Sequence, residues 1–145
     1  MKKLNVKEKS LKLEKRMAKK INGKIVQGSG NKFWNPSDIS FQNYLIETKY
    51  TEKDVYYITQ KILNKIEQEA FLFMKDPLLI IEFTNSKLIN LKNFIIYRAE
   101  SIEHIEIKRI KIDINTKRSF YKFKDTNIIY CVDFLENFNF NQTTE

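Results

Sequence analysis

Cysteine occurs once, at Cys131, histidine once, at His104, and glycine three times in the 145 residues. A lone cysteine excludes an intramolecular disulfide and any cysteine-rich metal centre. A lone histidine excludes a metal site or nuclease motif built on paired histidines. Long apolar runs are missing too: stretches such as 77–81 are far shorter than the roughly 20 residues that a helix needs to cross a bilayer. No membrane span is therefore expected. The charged amino-terminal residues have no apolar segment behind them, so no secretory signal is expected either. A reducing, cytoplasmic setting is the natural reading.

What the chain does have is apolar content. Hydrophobic residues make up 42% and aromatics 13%, enough for one compact domain over residues 1–145 with a core of its own. The net charge of +8 is unevenly spread. Residues 1–24 hold ten Lys or Arg (Lys2, Lys3, Lys7, Lys9, Lys12, Lys15, Arg16, Lys19, Lys20 and Lys24) against Glu8 and Glu14, which accounts for all of the excess. The remaining residues balance. A concentrated positive patch attracts polyanions, of which nucleic acid is the commonest. A solvated basic tail would account for the charge equally well.

Periodicity predicts a helix over 6–21, with Leu11, Leu13, Met17, Ala18 and Ile21 as its apolar stripe and Asn22-Gly23 as its stop. A short strand follows at 24–26. Gln27-Gly28-Ser29-Gly30-Asn31 then holds two of the three glycines, a loop that lets a ligand approach the backbone closely. Strands are predicted at 37–41 and 44–49, joined at Gln42-Asn43. Alternation puts Leu45, Glu47 and Lys49 on one face of the second strand. A helix is expected over 54–75, where Val55, Ile58, Ile62, Ile66, Ala70 and Phe73 recur at helical steps, ended by Asp76-Pro77. The run 78–83 reads as a strand buried on both faces. Further strands are expected at 94–97, across 105–114 with a bulge near Lys108-Arg109, and as a hairpin of 120–123 with 128–132. The tail from Asn137 to Glu145 is polar and expected to fray.

If the strands at 37–41 and 44–49 pair as a hairpin, Asp38 comes within reach of Glu47 and Lys49 across the ladder. Phosphodiester hydrolysis needs charge neutralisation at the phosphate, an activated water and a stabilised leaving oxygen, and a hard divalent cation serves all three. Mg2+ favours oxygen ligands and keeps several waters, so two carboxylates suffice. Asp38 and Glu47 would be these ligands, with the backbone carbonyl of Thr48 completing the set. Lys49, a compact cation, would orient or deprotonate the attacking water or stabilise charge on the phosphate. Mn2+ would substitute for Mg2+. Phe33 and Trp34, before Asp38, are candidates for packing or for contact with a base.

The order of elements around this constellation is helix, glycine loop, hairpin, amphipathic helix and buried strand. Together with the stretches 14–23, 27–30, 37–38, 46–51 and 65–70, it resembles the PD-(D/E)XK nucleases, in particular phage-encoded Holliday-junction-resolvase-like endonucleases. The resemblance covers residues 8–84. It implies an α/β fold with a restriction-endonuclease-like αβββαβ core, a mixed central sheet flanked by helices. The core spans about 6–98, and a β-rich extension runs from about 99 to 145. It further implies that Glu14 reaches the metal site from the first helix, joining Asp38, Glu47 and Lys49, and that the Gly28-Ser29-Gly30 loop touches the DNA backbone. Arg16, Lys20, Lys24, Lys32 and Lys65 would hold phosphates beside it. A homodimer acting on four-way junctions follows from the same resemblance, in a host cytoplasm if the protein is phage-encoded. The pattern departs at Ser37, which separates Pro36 from Asp38, and residues after Asn85 match nothing in the family. A DNA-repair or restriction-like nuclease, or a non-catalytic DNA-binding module, are the alternatives.

Overall fold

Runs of β-branched and aromatic residues separated by short polar turns make this chain mostly sheet. The computed structural model describes residues 8, 12, 15–17, 19, 24–25, 38–84 and 93–140, with 24, 25 and 38 described through their backbone alone. Residues 8, 12, 15–17 and 19 are helical, in keeping with the helix expected over 6–21. The strands are β1 (Lys24–Ile25), β2 (Asp38–Phe41), β3 (Tyr44–Thr51), β4 (Val55–Thr59), β5 (Asp76–Phe83), β6 (Asn93–Ala99), β7 (Ile105–Ile107), β8 (Arg109–Asp113), β9 (Ser119–Phe123) and β10 (Ile129–Phe134). One long helix, α1 (Gln60–Leu72), lies between β4 and β5.

Among the described residues, eight strands form a mixed sheet in the order β1-β2-β3-β5-β6-β10-β9-β7, and β4 and β8 form a separate antiparallel ribbon. β1, β2 and β3 are antiparallel neighbours, whereas β3 and β5 run parallel across the α1 crossover. The molecule is thus mixed α/β with a predominantly sheet core. No described helix is long and apolar enough to cross a membrane. The extension beyond residue 99 completes the sheet through β7, β9 and β10, and it supplies half of the ribbon.

The two faces of the sheet carry different cores. On one face α1 and the ribbon cover Leu79, Ile81, Phe83, Phe94 and Ile96, with Leu63, Ile66, Ile58, Ile110 and Ile112 packed down on them. On the other face Met17 and Leu135 pack over Ile39, Ile46, Leu78, Ile80 and Ile95. β5 is buried from Pro77 to Phe83, as its continuous apolar run requires of a strand covered on both sides.

The helix expected over 54–75 begins later than its apolar spacing suggests. Val55-Tyr56-Tyr57-Ile58-Thr59 is a strand paired with 109–113, because a run of β-branched and aromatic side chains fits a pleated surface and β8 offers it a ladder. Val55 and Ile58 fell on the helical repeat by coincidence. Thr59 instead caps α1, its hydroxyl accepting from Ile62 N at 3.3 Å. The other end is also earlier. Lys75 N donates to Ala70 O at 2.9 Å and Met74 N to Phe71 O at 3.0 Å, the paired bonds of a Schellman cap, with Met74 at φ 57 in the position that glycine usually takes. Asp76-Pro77 opens β5 rather than ending the helix.

Two further corrections concern the extension. The chain between 105 and 114 does not carry a bulge within one ladder. β7 pairs with β9 in the large sheet and β8 with β4 in the ribbon, so Lys108 marks a change of sheet. The tail after Asn137 is not frayed at its start, since Phe138 and Phe140 pack edge-on against Tyr44 at 5.8 and 6.5 Å. The hairpin of β9 and β10 and the β6 strand match expectation.

Candidate active site

The site is built on β2 and β3, whose hairpin turn at Gln42-Asn43 is tied to the exit of α1. Lys75 Nζ donates to Ser40 Oγ and to the Gln42 carbonyl, each at 2.7 Å, and Asp76 N donates to Asn43 O at 2.6 Å. Gln42 sits at φ 51, a conformation costing about 1 kcal/mol for a side chain with a Cβ, and the ammonium on its carbonyl offsets part of that cost. At the other end of β3, Thr84 N and Oγ1 both donate to Thr51 O. β3 is therefore held at both ends.

The register between the strands pairs Asp38 with Glu47, Ile39 with Ile46 and Ser40 with Leu45. Directly opposed positions of an antiparallel ladder share a face. Positions 38 and 47 are thus neighbours on the face beneath α1 and the ribbon, where β5 contributes Leu79, Ile81 and Phe83 opposite Glu47, Lys49 and Thr51. Glu47 is 4% exposed. Its Oε1 lies 3.0 Å from Lys49 Nζ, and Lys49 retains partial access to solvent. A carboxylate placed in an apolar face is costly unless charge or hydrogen bonds compensate, and Lys49 supplies such charge. Thr48, between them in the chain, is buried and paired with Ile80 on the opposite face.

Tyr56 is a member of this neighbourhood that the expected helix concealed. It lies on β4, half-buried against the core under the ribbon. Burial raises its phenol above the usual tyrosine value, Lys49 lowers it and Glu47 raises it, so the hydroxyl stays protonated at neutral pH beside both charges. The unbroken run of β-branched and aromatic residues in Val55-Tyr56-Tyr57-Ile58-Thr59 was the signal that could have revealed it.

No protein-family model matches this chain, and neither does any curated protein. The site must therefore be read from its own residues. Of the expected metal donors, Glu47 is described with its side chain, Asp38 through its register, and Glu14 lies outside the described residues. Among the described side chains no group of three His, Cys, Asp or Glu gathers at one place. His104 is exposed and far along the chain in the extension.

The expected DNA contacts divide similarly. Lys20, Gly28, Ser29, Gly30 and Lys32 lie outside the described residues, as do Phe33 and Trp34. Lys24 is paired through its backbone with Ser40 in β1. Lys65 is exposed on α1. Arg16 donates from Nη2 to Glu82 Oε2 at 2.6 Å. That carboxylate is on the sheet face opposite Glu47, since Glu82 pairs with Tyr50 while Leu79 pairs with Glu47.

Proposed function

We propose that this protein is a metal-dependent endonuclease of the PD-(D/E)XK type, hydrolysing phosphodiesters in branched DNA. One observation carries the reading: Asp38 is the register partner of Glu47, and Lys49, two residues along on the same face, lies 3.0 Å from the Glu47 carboxylate. The order of helical residues, three antiparallel strands, helix and parallel strand supports a restriction-endonuclease-like core. The intervening β4 is an addition to that order.

The donor set suits a hard cation. Asp38, Glu47 and the Thr48 carbonyl offer oxygen alone, the chemistry that Mg2+ or Mn2+ selects over softer metals. A divalent cation held there supplies neutralising charge to the phosphate and acidifies nearby water. Lys49 holds the Glu47 carboxylate in place and presents its ammonium to charge developing on the phosphate. Tyr56 offers a protonated hydroxyl beside both. Glu14 is a further donor only by the resemblance of its surrounding stretch, and because Arg16 and Met17 of the same segment pack on the face opposite Glu47, the reading rests on Asp38, Glu47 and Lys49 without it. The Gly28-Ser29-Gly30 loop with Lys20, Lys24, Lys32 and Lys65 holds the DNA backbone, and two copies acting together match the two equivalent strands of a four-way junction.

Cleavage of four-way junctions, linear duplex and single strands in Mg2+ or Mn2+ tests the reading. Junctions should be cut preferentially, and Asp38→Asn should abolish cutting while leaving binding intact. Preference for plain duplex would transfer the protein to the repair or restriction-like nucleases. Absence of cleavage with every divalent metal, alongside salt-sensitive binding, would leave a non-catalytic DNA-binding module.

A further inference from the structure

A cavity of about 460 Å³ lies at the foot of the sheet, formed where the start of β3, the start of β5, the end of β6 and the tail after β10 meet. Its size falls within the range of small-molecule sites. Three of its residues make an aromatic wall: Phe138 is 5.8 Å from Tyr44 and 4.9 Å from Tyr97, ring centre to ring centre. This wall belongs to the sheet face opposite Glu47, because Tyr44 and Tyr97 pack with the Met17 and Leu135 core. Nothing in the proposed cleavage chemistry uses it.

The polar lining has two signs. Arg118 brings a guanidinium whose side chain is 61% exposed and whose Nε lies 3.6 Å from Asp133 Oδ2, and Asp76 brings an exposed carboxylate. Asn139 adds an amide. Arg98 also lines the cavity, but its guanidinium is paired with Glu67. Tyr97 is held in its neutral, donating form, its phenol pushed up to about 12 by burial and by a hydrogen bond with Cys131. A wall of rings stacks planar heterocycles irrespective of their identity. A guanidinium engaged through Nε still carries donors on its two terminal nitrogens, and these can grip a phosphate. A carboxylate accepts from an exocyclic amine but repels a carbonyl edge.

We propose that this cavity binds a nucleotide, with an amino-bearing base stacked on Tyr44, Tyr97 and Phe138 and its phosphate held by Arg118. Asp76 accepts from the exocyclic amine of the base, so adenine and cytosine nucleotides are favoured over those of uracil. The ligand is a free mononucleotide or the same unit at an unpaired position of a strand. The site is independent of the cation and of the carboxylates on the other face.

Calorimetric titration of the full chain without divalent metal tests this, using AMP, CMP, UMP, adenosine and a short single-stranded oligonucleotide as probes. AMP and CMP should bind more tightly than UMP. Arg118→Ala should weaken AMP by about tenfold, the loss of a charge-assisted hydrogen bond, and leave adenosine unchanged, while Arg118→Lys restores part of the loss. Asp76→Asn should narrow the difference between AMP and UMP. Saturation by AMP identifies the free nucleotide as a ligand, and saturation by the oligonucleotide alone identifies the strand. No saturation by any probe, or an Arg118→Ala protein with unaltered AMP affinity, overturns the proposal. Because Glu47→Gln should bind AMP as the parent does, failure of the nuclease reading and failure of this one are separable.

Discussion

Arg16 Nη2 donates to Glu82 Oε2 at 2.6 Å, joining the amino-terminal helical residues to the central strand β5. The Glu82 side chain is 3% exposed and that of Arg16 is 56% exposed, so the pair is a half-open one: a buried acid answered by a cation that still meets water. Removing the cation should cost more than a surface ion pair and less than a fully buried one. Arg16→Met is expected to lower unfolding free energy by about 2 kcal/mol in urea titrations, and adding Glu82→Leu should recover most of it. A double variant no more stable than the single one would show that the loss does not come from stranding a buried charge, and an Arg16→Met protein as stable as the parent would show that the pair contributes little.

The Glu47–Lys49 pair should behave in the opposite sense. Both charges occupy a sheet face that β5 makes apolar, so their retention there costs stability, as the proposed catalytic role requires. Glu47→Met with Lys49→Met should raise stability by about 1 kcal/mol or more, while cleavage of junction DNA disappears. Lys49→Arg should also fail to cut well, since a fork does not replace a compact ammonium. A double variant that is less stable and still cuts would remove the assignment.

Tyr97 contributes to the alkaline limb of stability, alongside Tyr44, Tyr56 and Tyr130, whose phenols burial also raises. Its phenol is raised from 10.0 to about 12, by burial first and then by its hydrogen bond with Cys131. A group whose folded value lies above its unfolded one stabilises fully below the unfolded value and loses that contribution as pH climbs through the folded one. Stability should therefore fall between about pH 10 and about pH 12, and Tyr97→Phe should flatten the fall. An unchanged slope in denaturant titrations across that window would place the alkaline transition elsewhere.

Met74 occupies the left-handed end position of α1 at φ 57 and is 93% exposed. It therefore pays conformational strain with no packing in return. Met74→Gly should stabilise the protein by up to about 1 kcal/mol, the relief of the Cβ clash less the added chain entropy. Thermal unfolding checks this, with a lowered midpoint as the contrary result.

Much of the candidate site is legible from sequence because it rests on local rules. The turn at Gln42-Asn43 fixes the hairpin register, and strand alternation then sets Glu47 and Lys49 on the same face as position 38. The buried β5 announces itself by its apolar run. By contrast, Tyr56 was hidden because Val55 and Ile58 stand at a helical spacing while the β-branched and aromatic composition of the same run suits a strand, and only the partner strand chooses between them. The tail failed for a related reason: Phe138 and Phe140 are isolated among polar residues, so their anchoring depends on Tyr44 and Tyr97 being within reach.

The hairpin, its turn and the parity of its charged residues can be read from the amino acids alone, because these follow from backbone geometry and neighbours a few positions away. It takes the folded chain to show that residues 109–113 supply a partner for Val55–Thr59, that Arg16 meets Glu82 and that the tail closes an aromatic cavity. Those outcomes depend on contacts between segments distant in the chain, whose free energy is set by the surfaces they jointly bury and not by any local propensity.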